Sequence, residues 1–219
     1  MKQLDDPERH FFLTRDDIIK INPNTRTAPI FRSKHDAEHT TKIYSRVPPL
    51  ISNLPGSMGN TWGINVRQGL FHLSNDIKNG IVIDATRPDV QVDGLVPVYE
   101  GKQLWSYDHR FSSYNDNIDT TFTVTSSEKM PRIDNLRFRY FVSADSLINA
   151  VMRQKWNHKW FIGWRDITNA TNERTIVAAA FPFFGVSYTI RVITSVGSNV
   201  NKIAALLGAL KSPFENGCV

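Results

Sequence analysis

Apolar positions recur along this chain at two periods, and the two are interleaved without regular alternation. Thr14 precedes Arg-Asp-Asp-Ile-Ile-Lys-Ile, a hydroxyl N-cap followed by first-turn acids, which predicts a short helix stopped by Asn22-Pro23. Residues 24–33 read as extended and cationic. Ala37, Thr40, Ile43 and Tyr44 keep helical spacing and predict a helix over Lys34–Val47, ended by Pro48-Pro49. Residues 52–61 form a loop. Period-two and apolar runs predict strands at Trp62–Val66, Gly80–Asp84 and Leu95–Tyr99. The polar stretch 111–135 reads as a long loop broken by a strand at Thr120–Val124, followed by a strand at Leu136–Val142. Leu147, Ile148, Val151 and Met152 share one face of a predicted helix over Ala144–Trp156. Three β-rich runs follow at Lys159–Trp164, Thr175–Phe181 and Val186–Thr194. Ser198 caps a last helix through Leu210, with Ile203, Leu206, Leu207 and Leu210 as its apolar stripe. This order predicts an α+β fold: a mixed β-sheet with several short helices and no internal repeat.

Composition narrows the class without naming a function. With 219 residues, 41% of them hydrophobic and 21% charged, the chain suits one sizeable globular domain or two small ones. No uninterrupted apolar run approaches the roughly 20 residues of a membrane helix, and the N-terminus lacks the apolar stretch of a signal peptide. The lone cysteine, Cys218, excludes an internal disulfide and a cysteine-based zinc site. A bacterial cytoplasm is the expected compartment. The net charge of +5 permits a polyanionic partner without requiring one.

Candidate chemistry concentrates in Val98-Tyr99-Glu100-Gly101-Lys102-Gln103-Leu104-Trp105-Ser106-Tyr107-Asp108-His109-Arg110, which sets two acids, three bases and three aromatics into one strand-to-loop segment. Glu100 and Lys102 at a strand end, with Asp84 or Asp93 upstream, imitate the acid-x-lysine core of a magnesium-dependent nuclease. The plainer reading is a surface ion pair. His35 and His39 share a helix face at a zinc-compatible spacing, but no third ligand is evident, so a solvated face is expected. Asp108-His109 invites a hydrolase triad, yet no Gly-x-Ser-x-Gly elbow exists. Trp62, Trp160 and Trp164 fall in strand runs and are expected in the core, whereas Trp105 is expected to be exposed.

Four blocks, in order, carry a resemblance. The first runs from Phe12-Leu13-Thr14 to Phe31-Arg32-Ser33, continuing through Ile43-Tyr44-Ser45-Arg46-Val47-Pro48. The second is Trp62-Gly63-Ile64 with Phe71-His72-Leu73-Ser74-Asn75-Asp76, and the third is Leu95 through Phe111. The fourth is Trp160-Phe161-Ile162-Gly163-Trp164-Arg165-Asp166-Ile167 through Thr175. Together they resemble the C-terminal part of large bacterial adenine-specific DNA methyltransferases, the type IIG restriction–modification enzymes and their phage-defence relatives. The resemblance implies a linker over 1–50 that would join a catalytic domain, and a target-recognition domain over 51–219, truncated at its C-terminus. It implies double-stranded DNA as partner. A separate methyltransferase or nuclease subunit and self-association are further expected contacts, the latter through the last helix if its apolar stripe is uncovered.

No cofactor is expected in this chain; the parent enzyme would use S-adenosylmethionine. Asn22-Pro23-Asn24-Thr25 does not serve as the catalytic Asn-Pro-Pro-aromatic motif, because Thr25 cannot stack on a flipped adenine. No catalytic residue is assigned. The expected DNA contacts are Arg26, Arg32, Lys34, Lys102, Gln103, Trp105, His109, Arg110, Arg165, Asn169, Asn172 and Arg174, with Asn115 and Asn117 as further adenine readers. Two other functions stay open: a small nuclease using Asp93, Glu100 and Lys102, and a protein-binding module of a defence complex.

Overall fold

A computed structural model describes residues 10–57, 59–126, 136–154, 156–169, 172, 176–195 and 199–211. The fold is α+β. The chain divides into two compact units, Met1–Gly63 and Ile64–Val219. That boundary falls later than the one expected at residue 50. The reason is local: the Asn24 side chain donates to Ile51 O at 3.0 Å and accepts from Asn53 N–H at 2.7 Å, tying the following loop to the first unit.

The first unit holds α1 (Arg15–Ile21) and α2 (Lys34–Tyr44). Thr14 caps α1 as its sequence predicts: its Oγ1 accepts from Asp17 N–H at 3.1 Å, and the Asp17 carboxylate accepts from Thr14 N–H at 3.1 Å. Ser33 caps α2 by accepting from Asp36 N–H. This helix ends at Tyr44, short of the expected Val47, since the Arg46 and Val47 N–H groups both turn back to Ile43 O. Ala37 is buried, and Phe11 meets Phe31 edge to face at 6.1 Å.

The second unit carries the sheets. Strands β1 (Ile64–Gln68), β10 (Ile190–Ser195), β7 (Trp160–Arg165) and β8 (Ala178–Pro182) form an antiparallel sheet in that order. A second sheet has the order β2 (Val82–Asp84), β6 (Tyr140–Val142), β3 (Val96–Tyr99), β9 (Gly185–Val186). Here β3 and β9 run parallel, with Val98 opposite Gly185 and Tyr99 opposite Val186. A short hairpin of β4 (Ser112–Tyr114) and β5 (Thr121–Thr123) completes the β-structure.

The helices of this unit are α3 (Leu73–Lys78), α4 (Ala144–Met152) and α5 (Val200–Lys211). Helix α3 and strand β4 were not expected. The polar run Ser112-Ser113-Tyr114 pairs with β5 through backbone bonds, and all three residues are buried. The expected strand Val186–Thr194 is split by Ser187-Tyr188-Thr189, where Ile190 N–H bonds Ser187 O, so its two halves join different sheets.

Tyr99 stands at the centre of the core. Its ring meets Phe138, Phe181 and Phe184 at centroid distances of 5.1–5.8 Å, which packs the two larger sheets against one aromatic cluster. Gly163 on β7 sits against Arg191 O, where a Cβ would stand 2.6 Å away. Ile203 and Leu206 of α5 are buried and the helix packs on β8. The stripe expected to lack cover is therefore covered at these two positions by the chain itself.

Candidate nucleic-acid interface

At the end of β3 the backbone leaves the sheet through a single 3₁₀ turn, Gly101–Gln103. Two contacts fix this turn. Gly101 N–H donates to Thr189 Oγ1 at 2.8 Å, and a Cβ on Gly101 would stand 2.8 Å from Thr189 O, so glycine is needed for the close approach. Glu100 and Gln103 cap each other: Glu100 N–H donates to Gln103 Oε1 at 2.9 Å, while the Glu100 carboxylate accepts from Gln103 N–H.

That cap corrects one expected DNA contact. Gln103 is fully buried, and its Nε2 has no hydrogen-bond partner among the described residues. A side chain in that position cannot reach a base edge. Its amphipathic neighbours gave no sign of this in the sequence, because a 3₁₀ turn of three residues leaves no periodicity to read.

Beyond the turn, residues 104–111 fold over Arg165 of β7. Arg165 Nε donates to Leu104 O at 2.8 Å and Nη2 to Lys102 O at 3.3 Å. Its guanidinium lies 5.0 Å from the Trp105 ring centre and 5.5 Å from that of Phe111, and those two rings stack at 4.8 Å. Trp105 is thus half-buried in a stack instead of exposed as expected. Burial works against the charge on Arg165 and pulls its pKa below the ordinary arginine value. Arg165 is an internal brace of the ledge first and a surface cation second.

Lys102 points the other way. Its Nζ stands 2.5 Å from Tyr114 Oη and 3.4 Å from Glu100 Oε1, and 4.4 Å from the Tyr114 ring centre. Tyr114 Oη donates to Glu100 Oε2 at 2.6 Å. Burial first, and then the Glu100 carboxylate, raise the Tyr114 pKa far above that of a free phenol, so it stays a donor. The lysine side chain is still 44% exposed, enough to meet an anion. Tyr114 was absent from the expected set, and only its place opposite Thr121 on a strand hidden in polar sequence brings it here.

His109 faces inward. Its Nδ1 is 3.0 Å from Tyr99 Oη, and burial, aided by the nearby Arg110 charge, lowers its pKa. Desolvation raises the Tyr99 pKa, which keeps that phenol protonated. A neutral imidazole beside a phenol is a packing arrangement, so His109 is anchored to the core and bonded to a tyrosine and not to a serine. Arg110 is half-buried at the rim, with its N–H donating to Asp108 Oδ1 at 2.8 Å.

The nuclease constellation does not assemble. Both oxygens of Asp84 are taken by Arg139, at 2.9–3.3 Å, and Asp93 is exposed in the turn closed by Leu95 N–H to Val92 O. Burial works against the Asp84 charge, yet the Arg139 and Thr86 hydrogen bonds outweigh it and lower the pKa. His35 and His39 stack on each other at 5.8 Å on an exposed helix face. Among the described residues no group of three or more His, Cys, Asp or Glu is placed to hold a metal ion.

The remaining expected contacts are dispersed. Arg26, Arg32 and Lys34 are exposed within the first unit. Arg26 holds a left-handed φ of 55°, and Lys34 pairs with Glu38 at 3.9 Å. Asn115 closes its own loop by binding Asp119, whereas Asn117 is exposed. Asn169 is exposed, and its carbonyl accepts from Asn172 N–H at 3.0 Å. Arg174 and Ser198 lie outside the described residues.

One residue that the sequence did not mark now stands out. Tyr107 sits at the tip of a tight turn closed by Trp105 N–H to Asp108 O at 2.6 Å and Asp108 N–H to Trp105 O at 3.1 Å. It holds φ 61° and is 64% exposed. Nothing in its spacing signals this, since tyrosine is an unusual choice for a left-handed turn position.

No protein-family model matches the chain, and no curated protein or solved structure matches it either. Among the described residues no helix is long and apolar enough to cross a membrane.

Proposed function

We propose that this chain is a DNA-binding target-recognition region of an adenine-specific DNA methyltransferase, of type IIG or phage-defence type. The observation that carries this reading is Arg165. It comes from the fourth block of the resemblance and binds the carbonyls of Leu104 and Lys102 in the third, so these two blocks are joined physically. The same segment carries Lys102, whose side chain is 44% exposed, and the half-buried Arg110, and the chain is basic overall.

In this reading the chain grips duplex DNA and the methyl transfer belongs to the catalytic part of the parent enzyme, with its S-adenosylmethionine, in the cytoplasm. Lys102 and Arg110 contact phosphates; Arg26, Arg32 and Lys34 supply further phosphate contacts from the first unit. Asn117, Asn169 and Asn172 are the remaining readers of adenine edges. Trp105, His109 and Arg165 hold the ledge in shape instead of touching DNA.

Duplex binding measured against salt tests the reading. A few phosphate contacts give a log–log slope between roughly −3 and −6, at about −0.9 per contact. An affinity that stays flat from low to physiological salt overturns it.

A further inference from the structure

We propose that the cavity lined by β1 and α4 binds a phosphate group carried on an organic body of mononucleotide size. The cavity has a volume of about 450 Å³, within the range of small-molecule sites, and all its lining residues belong to the second unit. Arg67 lines it from β1. Ser146, Asn149, Ala150 and Arg153 line it from α4 and its C-cap, and their spacing of three and four residues puts them on one helix face. A second guanidinium, an amide and a hydroxyl thereby border the same space as Arg67.

These donors are available. Neither Arg67 nor Arg153 has a side-chain partner among the described residues, in contrast to Arg139, which holds Asp84, and Arg191, which holds Asp166. Asp166 also accepts from Gln68 Nε2 at 2.8 Å, so the acid beside β1 is already engaged. The Ser146 hydroxyl accepts from Ser143 Oγ at 2.9 Å and keeps its own proton to donate. The lining sets two arginines against one acid, Asp76, whose Oδ2 already accepts from His72 N–H at 2.6 Å. Two guanidinium forks delivered from separate elements suit a doubly charged tetrahedral anion, whereas a lone carboxylate is satisfied by one. Leu70 and Phe71, both buried, add apolar lining beside the donors, which suits the organic body that carries the phosphate.

Calorimetric titration of the full chain with adenosine 5′-monophosphate and with adenosine tests this, beside duplex binding by the same variants. The monophosphate should bind at least about ten-fold more tightly than adenosine. Arg67→Ala and Arg153→Ala should each weaken its binding about ten-fold, with the thermal midpoint unchanged because neither side chain braces the fold. Arg87→Ala, which removes an exposed arginine outside the cavity, should bind as the parent does. If the two cavity variants bind duplex DNA unchanged, the phosphate belongs to a free small molecule; if they also lose duplex affinity, the cavity takes backbone phosphate as well. The proposal is overturned if adenosine binds as tightly as its monophosphate, if neither binds, if either cavity variant binds like the parent, or if Arg87→Ala weakens binding as much as they do. A failure of duplex binding alone strikes the DNA-binding reading and leaves the cavity untouched.

Discussion

The guanidinium of Arg165 lies 5.0 Å from the ring centre of Trp105 while its Nε holds the carbonyl of the preceding residue, Leu104. One side chain thereby fixes both the backbone and the ring of the ledge. Arg165→Ala should deprive the Leu104 carbonyl of its side-chain donor, while Lys102 O keeps the Ser112 hydroxyl, and cost about 1–3 kcal/mol in denaturant unfolding. Arg165→Lys should recover little of that, because an ammonium supplies neither the fork nor the plane that stacks. A lysine variant as stable as the parent would show that the stack contributes nothing.

Arg110→Ala is expected to weaken duplex binding and to reduce the salt slope by about 1 while the thermal midpoint stays put. Lys102→Ala should show the same loss of slope together with some loss of stability, because Lys102 also neutralises the half-hidden pair of Glu100 and Tyr114. Isothermal salt titration alongside thermal melting separates the two effects.

Tyr114→Phe removes the hydroxyl that bridges Glu100 and Lys102. A buried carboxylate then loses a charge-assisted bond, a change of about 1.5–3 kcal/mol. Equilibrium unfolding of the two proteins side by side reads it directly, and equal stability would place the network among the idle ones.

His109 gives the fold a pH dependence of definite sign. Its pKa is lowered in the folded chain, so below the ordinary histidine value of 6.5 the unfolded chain binds more protons. The stability it contributes is complete above that value and is lost as pH falls through the lowered folded value. His109→Gln should flatten the unfolding profile in that window. A profile that stays equally steep assigns the loss to other groups.

Leu206→Glu should unfold the second unit instead of changing its oligomeric state. Leu206 is 2% exposed and its helix packs on β8. Burying an unpaired carboxylate in place of a leucine is a severe change. Ultracentrifugation and circular dichroism together distinguish loss of structure from dissociation.

Much of this fold was legible in the chain. Thr14 announced its helix because an N-cap and first-turn acids act within one turn, and the apolar stripe of the last helix was visible as spacing alone. Strand β4 was hidden because Ser112 and Ser113 are polar: they are buried for their backbone pairing and hydroxyl bonds, to Lys102 O and Tyr114 O, and not for apolar surface. The ledge was recognisable as a cluster of residue types, but their roles were not. Which of Gln103, Trp105 and Tyr107 faces outward depends on a three-residue 3₁₀ turn and one left-handed φ, and neither leaves a periodic trace in sequence.

Strand β3 has its parallel neighbour at Gly185-Val186, far along the chain, and Thr189 just beyond it clamps Gly101. A contact between such distant segments closes slowly and late. On the ribosome the ledge of residues 100–111 would therefore emerge long before the strand and turn that shape it. Until that segment follows, its aromatics have neither Arg165 fixed beneath them nor Thr189 to hold the turn. On the proposed reading, whatever residues 100–111 contribute to DNA binding is thus acquired only as the second unit is completed.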